Sequence, residues 1–327
     1  MIFLIKNFYI YVSASFDPYL NLAKEKLLFD RCGHGDMILY LWQNEKTVVI
    51  GKNQNPLAEC NLHAMKKDGI RLARRLSGGG AVYHDSGNLN FTFISADAPD
   101  ACERNTDIIC RACEMLGIPS VRSGRNDITV QDKKFSGNAF YHSEGKFCHH
   151  GTILIQSDFE ALEKYLTPSK LKLSAKGVKS VRSRVINLAS LSPELTPEKM
   201  SELIIKATEL TLGQKPEKIP KLDRKSIEIV ASEYSSDEYL YGKTAPYTLE
   251  FYERFSWGEV SVRLNIESGR IAHAALYTDA MDEALSVKFE KLLCGTKFEK
   301  KFVEEALLTE IEPHFAKDLA DMMFREI

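Results

Sequence analysis

The residues from Arg74 to Asp85 read Arg-Arg-Leu-Ser-Gly-Gly-Gly-Ala-Val-Tyr-His-Asp. Three consecutive glycines let backbone N–H groups approach a ligand closely and adopt positive φ. A run of such N–H groups makes an anion-binding nest. Arginine adds a fork of donors that fits phosphate or carboxylate. The segment lacks the Gly-Lys-Ser/Thr ending of a P-loop and the spacing of a dinucleotide-binding fingerprint. A bare glycine run reads first as a flexible turn. Arg74 and Arg75 before it, and His84-Asp85 after it, move the reading towards an anion site.

A second stretch runs Gly124-Arg125-Asn126-Asp127-Ile128, then Asp132-Lys133-Lys134-Phe135-Ser136-Gly137-Asn138-Ala139. Asn-Asp alone marks a turn. On a strand, Lys134, Ser136 and Asn138 share one face and Phe135 takes the other. That polar face could line a pocket, and Lys134 rather than Lys133 would be the lysine facing it. A third stretch is Cys148-His149-His150-Gly151-Thr152. Adjacent histidines on a strand face opposite ways, which argues against a shared metal. Cys148 beside His149 raises a nucleophile reading, although adjacency in sequence does not make a dyad.

The elements that would carry these segments follow from local pattern. Asp17-Pro18 opens a helix over 19–29. Residues 57–68 read as a helix ending at Gly69, and 100–116 as a helix closed by Gly117. Helices are also expected over 158–165 and 196–212. Strands are expected over 37–41, 47–50, 70–76, 89–94, 128–131, 134–141 and 149–156. The opening MIFLIKNFYIYVSAS reads as a first strand. Its end resembles a cleavage site, but no charged region precedes the apolar run. Residues 174–185 are basic and Ser-rich, which by composition is a solvated loop. Residues 213–225, with two prolines and many charges, read as a linker or domain boundary. Beyond them, 259–266 alternates and turns at Gly269 into 271–277, a hairpin.

Composition bounds the function. The 327 residues suggest about two domains. Lys+Arg 43 against Asp+Glu 45 argues against a general nucleic-acid binder. No apolar run approaches a membrane span. Seven scattered cysteines fit reduced thiols, and so a cytoplasmic setting, better than a disulfide framework.

Taken together, Arg-Arg-x-Ser-Gly-Gly-Gly-Ala-Val-Tyr-His-Asp, Gly-Arg-Asn-Asp-Ile, Lys-Phe-Ser-Gly-Asn-Ala and His-His-Gly-Thr resemble the lipoate–protein ligase A family in order and spacing. So do the upstream Asn21-Leu22-Ala23 with Glu25, and Lys176-Gly177-Val178-x-Ser180-Val181-x-Ser183-Arg184. The tail segment Arg254-Phe255-Ser256-Trp257-Gly258 resembles the accessory domain of the long form. Lys26 stands where many relatives carry a second Glu after Glu25.

The resemblance implies an α/β fold of mixed sheets. It places a large biotin/lipoate-ligase-like catalytic domain over 1–240 and a smaller α+β accessory domain over 245–327. It implies that lipoate and ATP give lipoyl-adenylate and pyrophosphate, normally with Mg²⁺. A lysine of a lipoyl-domain acceptor (an E2 subunit or H protein) then takes the acyl group. By motif position, Lys134 is the essential lysine, at the carboxylate and α-phosphate. Arg75, Gly80, Ala81, Val82 and Tyr83 would hold the nucleotide and activated acyl group, with Lys176 and Gly177 on an adenylate-binding loop. Asn126 and Asp127 would face the nucleotide, and Asp127 its Mg²⁺. Ser77, Gly78, Gly79 and His84 would border the lipoyl slot, together with Arg75 and Lys134. Two alternatives differ in class. One is an ATP-independent octanoyl or lipoyl transferase working through a cysteine thioester. The other is a non-catalytic lipoate-binding protein.

Overall fold

Continuous apolar runs in a strand, which leave neither face polar, must be covered on both sides. Asp36–Trp42 is such a run, with residues 37–42 all buried, and it lies inside the main sheet of the protein. The computed structural model describes residues 5–124, 126–166, 184–241, 249–267 and 269–325. The strands, in chain order, are β1 (Asn7–Val12), β2 (Asp36–Trp42), β3 (Thr47–Ile50), β4 (Arg71–Arg74), β5 (Val82–His84), β6 (Asn88–Ala96) and β7 (Val121–Ser123). Then come β8 (Asp127–Val130), β9 (Lys133–Ser143), β10 (Lys146–Leu154), β11 (Glu217–Lys218), β12 (Leu249–Phe255), β13 (Gly258–Glu267) and β14 (Arg270–Thr278). The chain forms two units by internal contact: residues 1–49, 60–73 and 82–236, and residues 50–59, 74–81 and 237–327.

In the first unit an eight-stranded mixed sheet runs β11-β1-β2-β6-β10-β9-β8-β7. β1 is parallel to β2 and β11, and the other pairs are antiparallel. Register aligns Leu39 with Phe93, Phe93 with His149 and His149 with Phe140. One face joins Met37, Leu39, Leu41, Phe91 and Phe93 to Ile108, Ile109 and Ala112 of helix Ala101–Glu114. Met200, Ile204 and Ala207 of helix Pro197–Leu212 join the same core. The opposite row, Tyr40, Thr92 and His150, meets helix Pro18–Arg31 through hydrogen bonds to Asn21 and Glu25. A smaller sheet orders β4-β3-β5.

Helix Pro18–Arg31 starts where the sequence places it. Asp17 Oδ1 accepts from the Tyr19 and Leu20 amides at 2.9 and 3.1 Å. Its Oδ2 meets Arg71 Nη1 at 2.6 Å. Gly69 and Gly213 end their helices at φ +68° and +67°, a conformation glycine adopts without strain.

Two expectations are corrected. Residues 57–68 are two helices, Pro56–Glu59 and Leu62–Asp68, because Asn61 leaves helical geometry and caps the second with its Oδ1. Residues 213–225 do not form a boundary. Glu217 and Lys218 pair with Tyr9 and Ile10 at the edge of the main sheet, and this stretch belongs to the first unit.

In the second unit, β12-β13-β14 form an antiparallel sheet. Val260, Val262 and Leu264 face a core built with Phe289, Val303, Leu319 and Met323 from three helices. This is the expected alternation and hairpin. No described helix is long and apolar enough to cross a membrane.

The dual role of Asp17 gives a test of the entry to the site helix. Asp17→Ala is expected to lower unfolding free energy by about 1–2 kcal/mol in urea titration, and Asp17→Asn by less, since the cap survives.

Candidate active site

Strand β9 carries Lys134 through an irregularity. Asp127 pairs with Gly137 and Ile128 with Ser136, but Thr129 pairs with Lys134, so Phe135 is the extra residue of a β-bulge. A bulge breaks the simple alternation and re-aims the neighbouring side chain. Phe135 and Ser136 are both fully buried, so Lys134, Ser136 and Asn138 do not make one open polar face. Lys134 instead remains half-exposed, with Nζ 2.6 Å from Asp127 Oδ1. Its backbone is gripped on the far side as well: the amide donates to Arg184 O at 2.8 Å, and its carbonyl accepts from Ile186 N at 2.9 Å. Gly137 makes room for the amine. A methyl group there would lie 2.8 Å from Lys134 Nζ and 2.9 Å from Cε.

Asn126 sits beside this pair, in reciprocal bonds with Asn138. Asn126 Nδ2 donates to Asn138 O, and Asn138 Nδ2 donates to Asn126 O. That orientation turns Asn138 Oδ1 towards His149, whose Nε2 donates to it at 2.9 Å. Gly151 keeps this arrangement open, since a Cβ there would fall 2.7 Å from Asn138 Oδ1 and 2.5 Å from Phe91. His149 Nδ1 has no hydrogen-bond partner among the described residues, and Phe91, Phe93, Phe140 and Phe147 surround the ring. Burial drives the His149 pKa down to about 3, with His150 adding to the shift. The imidazole is therefore neutral at pH 7 and serves as a fixed donor.

On the opposite face of β10, His150 Nδ1 donates to Glu25 Oε1 at 2.9 Å. Thr92 Oγ1 donates to the same oxygen at 2.7 Å and accepts from Trp42 Nε1 at 3.0 Å. Asn21 of the same helix donates to Asn44 Oδ1, whose side chain reaches His84 Nδ1 at 3.2 Å. His84 is buried, edge-on to Trp42. The Tyr83 side chain is also buried, with its ring on Tyr165 and its hydroxyl pKa pushed up to about 12, chiefly by burial. Val82 pairs with Val49 in the small sheet.

Arg75, Ser77, Gly78, Gly79, Gly80 and Ala81 lie in the second unit. Arg75 is buried and turns its guanidinium onto its own loop. Nε donates to Ser77 Oγ at 3.1 Å, and Nη2 donates to the carbonyls of Gly78 and Gly80 at 2.7 and 2.8 Å. Gly79 has φ +89°, and its amide donates to Ala280 O at 3.1 Å. A Cβ on Gly78 would fall 2.4 Å from that same oxygen. Lys176, Gly177 and Arg125 lie outside the described residues.

The chain matches the lipoyl protein ligase A/B catalytic domain over residues 17–209. It matches the bacterial lipoate protein ligase C-terminus over 244–323. The chain belongs to the lipoyl protein ligase A/B family. Among solved structures, the ligase is similar to P. falciparum LipL1 in complex with lipoate. The two are 29% identical with a TM-score of 0.85, covering 98% of this chain and 100% of that one. A bipartite lipoate protein ligase from Thermoplasma acidophilum, described with its E2 lipoyl domain, is 25% identical with a TM-score of 0.63. It covers 75% of this chain and 100% of that one. A lipoate-protein ligase A bound with ATP is 25% identical with a TM-score of 0.61, covering 72% of this chain and 98% of that one.

Two residues the sequence left open are now placed. Lys26 of the ligase is a surface residue, ion-paired with Asp30 at 2.6 Å one turn along the helix. Cys148 is buried, and its thiol is raised well above the ordinary range by burial first, then by Glu25 and Cys32. A thiol so held is a poor nucleophile at neutral pH, which removes the residue on which the thioester alternative rested. Sequence reading missed the pairs Asn138–His149 and Glu25–His150. The signal was present in the alternation of β10, which sends His149 and His150 to opposite faces.

Two outcomes are expected. Because the folded value of His149 lies below the ordinary 6.5, the unfolded chain takes up a proton that the folded chain refuses. That stability is complete above pH 6.5 and is lost as pH falls towards about 3. Below pH 6.5, unfolding free energy of the native ligase should fall about 1.4 kcal/mol per pH unit more steeply than that of His149→Gln. The second outcome concerns Gly137→Ala, whose methyl collides with the flexible end of Lys134. Displacing the amine is expected to cost about tenfold or more in activity. The melting temperature should shift by less than about 4 °C.

Proposed function

We propose that the chain carries out ATP-dependent lipoylation in two steps. Lipoate attacks ATP to give lipoyl-adenylate and pyrophosphate, and a lysine amine of a lipoyl-domain acceptor then displaces AMP. The observation that carries this reading is the Lys134 ammonium, kept out of the core by a bulge, held by Asp127 at 2.6 Å and folded over Gly137. The family match adds the reaction class. A P. falciparum structure described with lipoate and a ligase described with ATP support the two substrates.

The residues have a division of labour in this reading. A carboxylate approaching a phosphate meets another anion, and Lys134 offsets both charges as the transition state develops. Arg75, the Gly80-Ala81-Val82-Tyr83 backbone, Lys176 and Gly177 bind the nucleotide and acyl group. Ser77, Gly78, Gly79 and His84 border the lipoyl slot. Asn126 and Asp127 face the nucleotide. The half-exposed Asp127 carboxylate suits Mg²⁺, a hard cation usually held by one or two carboxylates and substrate phosphates. Mg²⁺ bound there would neutralise phosphate charge. Residues 1–240 form the catalytic domain and 245–327 the accessory domain. Acceptors are E2 subunits and H protein, in a cytoplasmic setting. The archaeal ligase described with its E2 lipoyl domain supports that class of partner.

The test is ATP–pyrophosphate exchange driven by lipoate, with biotin as control. Exchange with lipoate and not biotin is expected. Lys134→Ala should lose about a hundredfold or more of it while remaining folded. Near-native exchange by folded Lys134→Ala would remove the assignment.

A further inference from the structure

Arg74 and Arg75 are adjacent and equally buried, yet their guanidinium groups serve different parts of the second unit. Arg75 reaches Ser77, Gly78 and Gly80, inside the glycine loop. Arg74 reaches past the loop. Its Nη1 donates to the carbonyls of Gly51, Lys52 and Gln54 at 3.2, 2.9 and 2.8 Å. Its Nε donates to Tyr239 O at 3.1 Å and Nη2 to Leu240 O at 2.6 Å.

We infer that Arg74 is a positioning residue: it fixes the glycine loop through the turn at 51–54 and ties that turn to residues 239–240. The inference rests on the ligase reading above, in which the loop holds the nucleotide and acyl group. Three carbonyl oxygens converging on one point repel one another. A buried cation with several fixed donors offsets that repulsion, and arginine supplies donors in a rigid fork. The turn in turn touches the loop directly. The Lys52 amide donates to Ser77 O at 2.9 Å, and a Cβ on Gly51 would fall 2.1 Å from Gly79 O. Gln54 Oε1 accepts from the Gly51 amide at 2.9 Å and so holds Gly51 in place. A second hold acts from 278–283. Thr278 N donates to Asn53 O at 3.0 Å, and Asn53 Nδ2 lies 3.4 Å from the carbonyls of Asp282 and Glu283. The loop thus inherits its position from a turn that Arg74 sets. Lysine has a single point charge with three donors and cannot span the two stretches.

The experiment compares the full-length chain with Arg74→Lys, Gln54→Ala and the double variant in lipoate-driven ATP–pyrophosphate exchange. Arg74→Lys is expected to raise KM for ATP about tenfold or more, as a misplaced binding loop would. Its melting temperature should stay within about 4 °C of the native value. Gln54→Ala, which loosens the same turn without altering Arg74, should raise the same KM. The double variant should be no worse than the weaker-binding single, because both act through one turn. A native KM in Arg74→Lys, or a loss in kcat alone, overturns the positioning role, since a purely structural defect lowers the active fraction and leaves KM unmoved. Fully additive effects overturn the route through the turn. Absence of exchange in the native chain overturns the ligase reading and this inference with it. Exchange in the native chain with an unmoved KM overturns this inference alone.

Discussion

A lysine ammonium stays on the face of a packed sheet only where the backbone holds its root and leaves its tip in water. Lys134 meets both conditions. Its amide and carbonyl are both bonded to the 184–186 segment, so the residue cannot slide in register. The bulge at Phe135 lets the apolar ring enter the core while the neighbouring side chain turns elsewhere. Gly137 then leaves the amine a place to lie. Each of these supports depends on the main sheet being rigid, which the buried rows of β2, β6 and β10 provide.

Strand β10 is where stability and chemistry are reconciled. Its alternation sends His149 into an aromatic core and His150 towards the helix carboxylate of Glu25. The two rings are neighbours in sequence but have opposite environments. Burial among phenyl rings makes a charged His149 costly, so the ring stays neutral and orients Asn138. Asn138 is in turn the partner of Asn126, the residue before Asp127. The ion pair of Lys134 is thereby joined, through short hydrogen bonds, to the core of the sheet.

Much of the frame was legible in sequence because its signals are local. The Asp17-Pro18 cap, the stop at Gly69 and the alternation of β13 each depend on residues a few positions apart. What was not legible depends on distant partners. The bulge at Phe135 exists only relative to β8, so Lys134 leaves the alternating face that Ser136 and Asn138 still share. The pairing of Glu217 and Lys218 with β1 turns a stretch rich in proline and charge into a sheet edge. The break at Cys60–Asn61 was missed because asparagine inside an apolar period looks like a helix surface residue until its side chain is seen to cap. In the site, residue types were readable, but their partners were not. Nothing in the local pattern says that Arg74 answers to carbonyls at 239–240.

The glycine loop shows why two arginines precede it. A trans peptide unit points its carbonyl and its N–H in opposite directions. Arg75 draws the Gly78 and Gly80 carbonyls to itself, so the amides of Gly79 and Ala81 must point away from the guanidinium. Glycine at 79 supplies the positive φ that this alternation of plane directions demands. The cation therefore does more than contribute charge: it orders the backbone dipoles of a loop that has few side chains to order it. Because Arg75 is occupied in this way, the loop needs a separate anchor to the surrounding chain. Arg74, one residue earlier and at the end of β4, is placed to be that anchor, and the consecutive pair reads as one arginine for the loop's shape and one for its location.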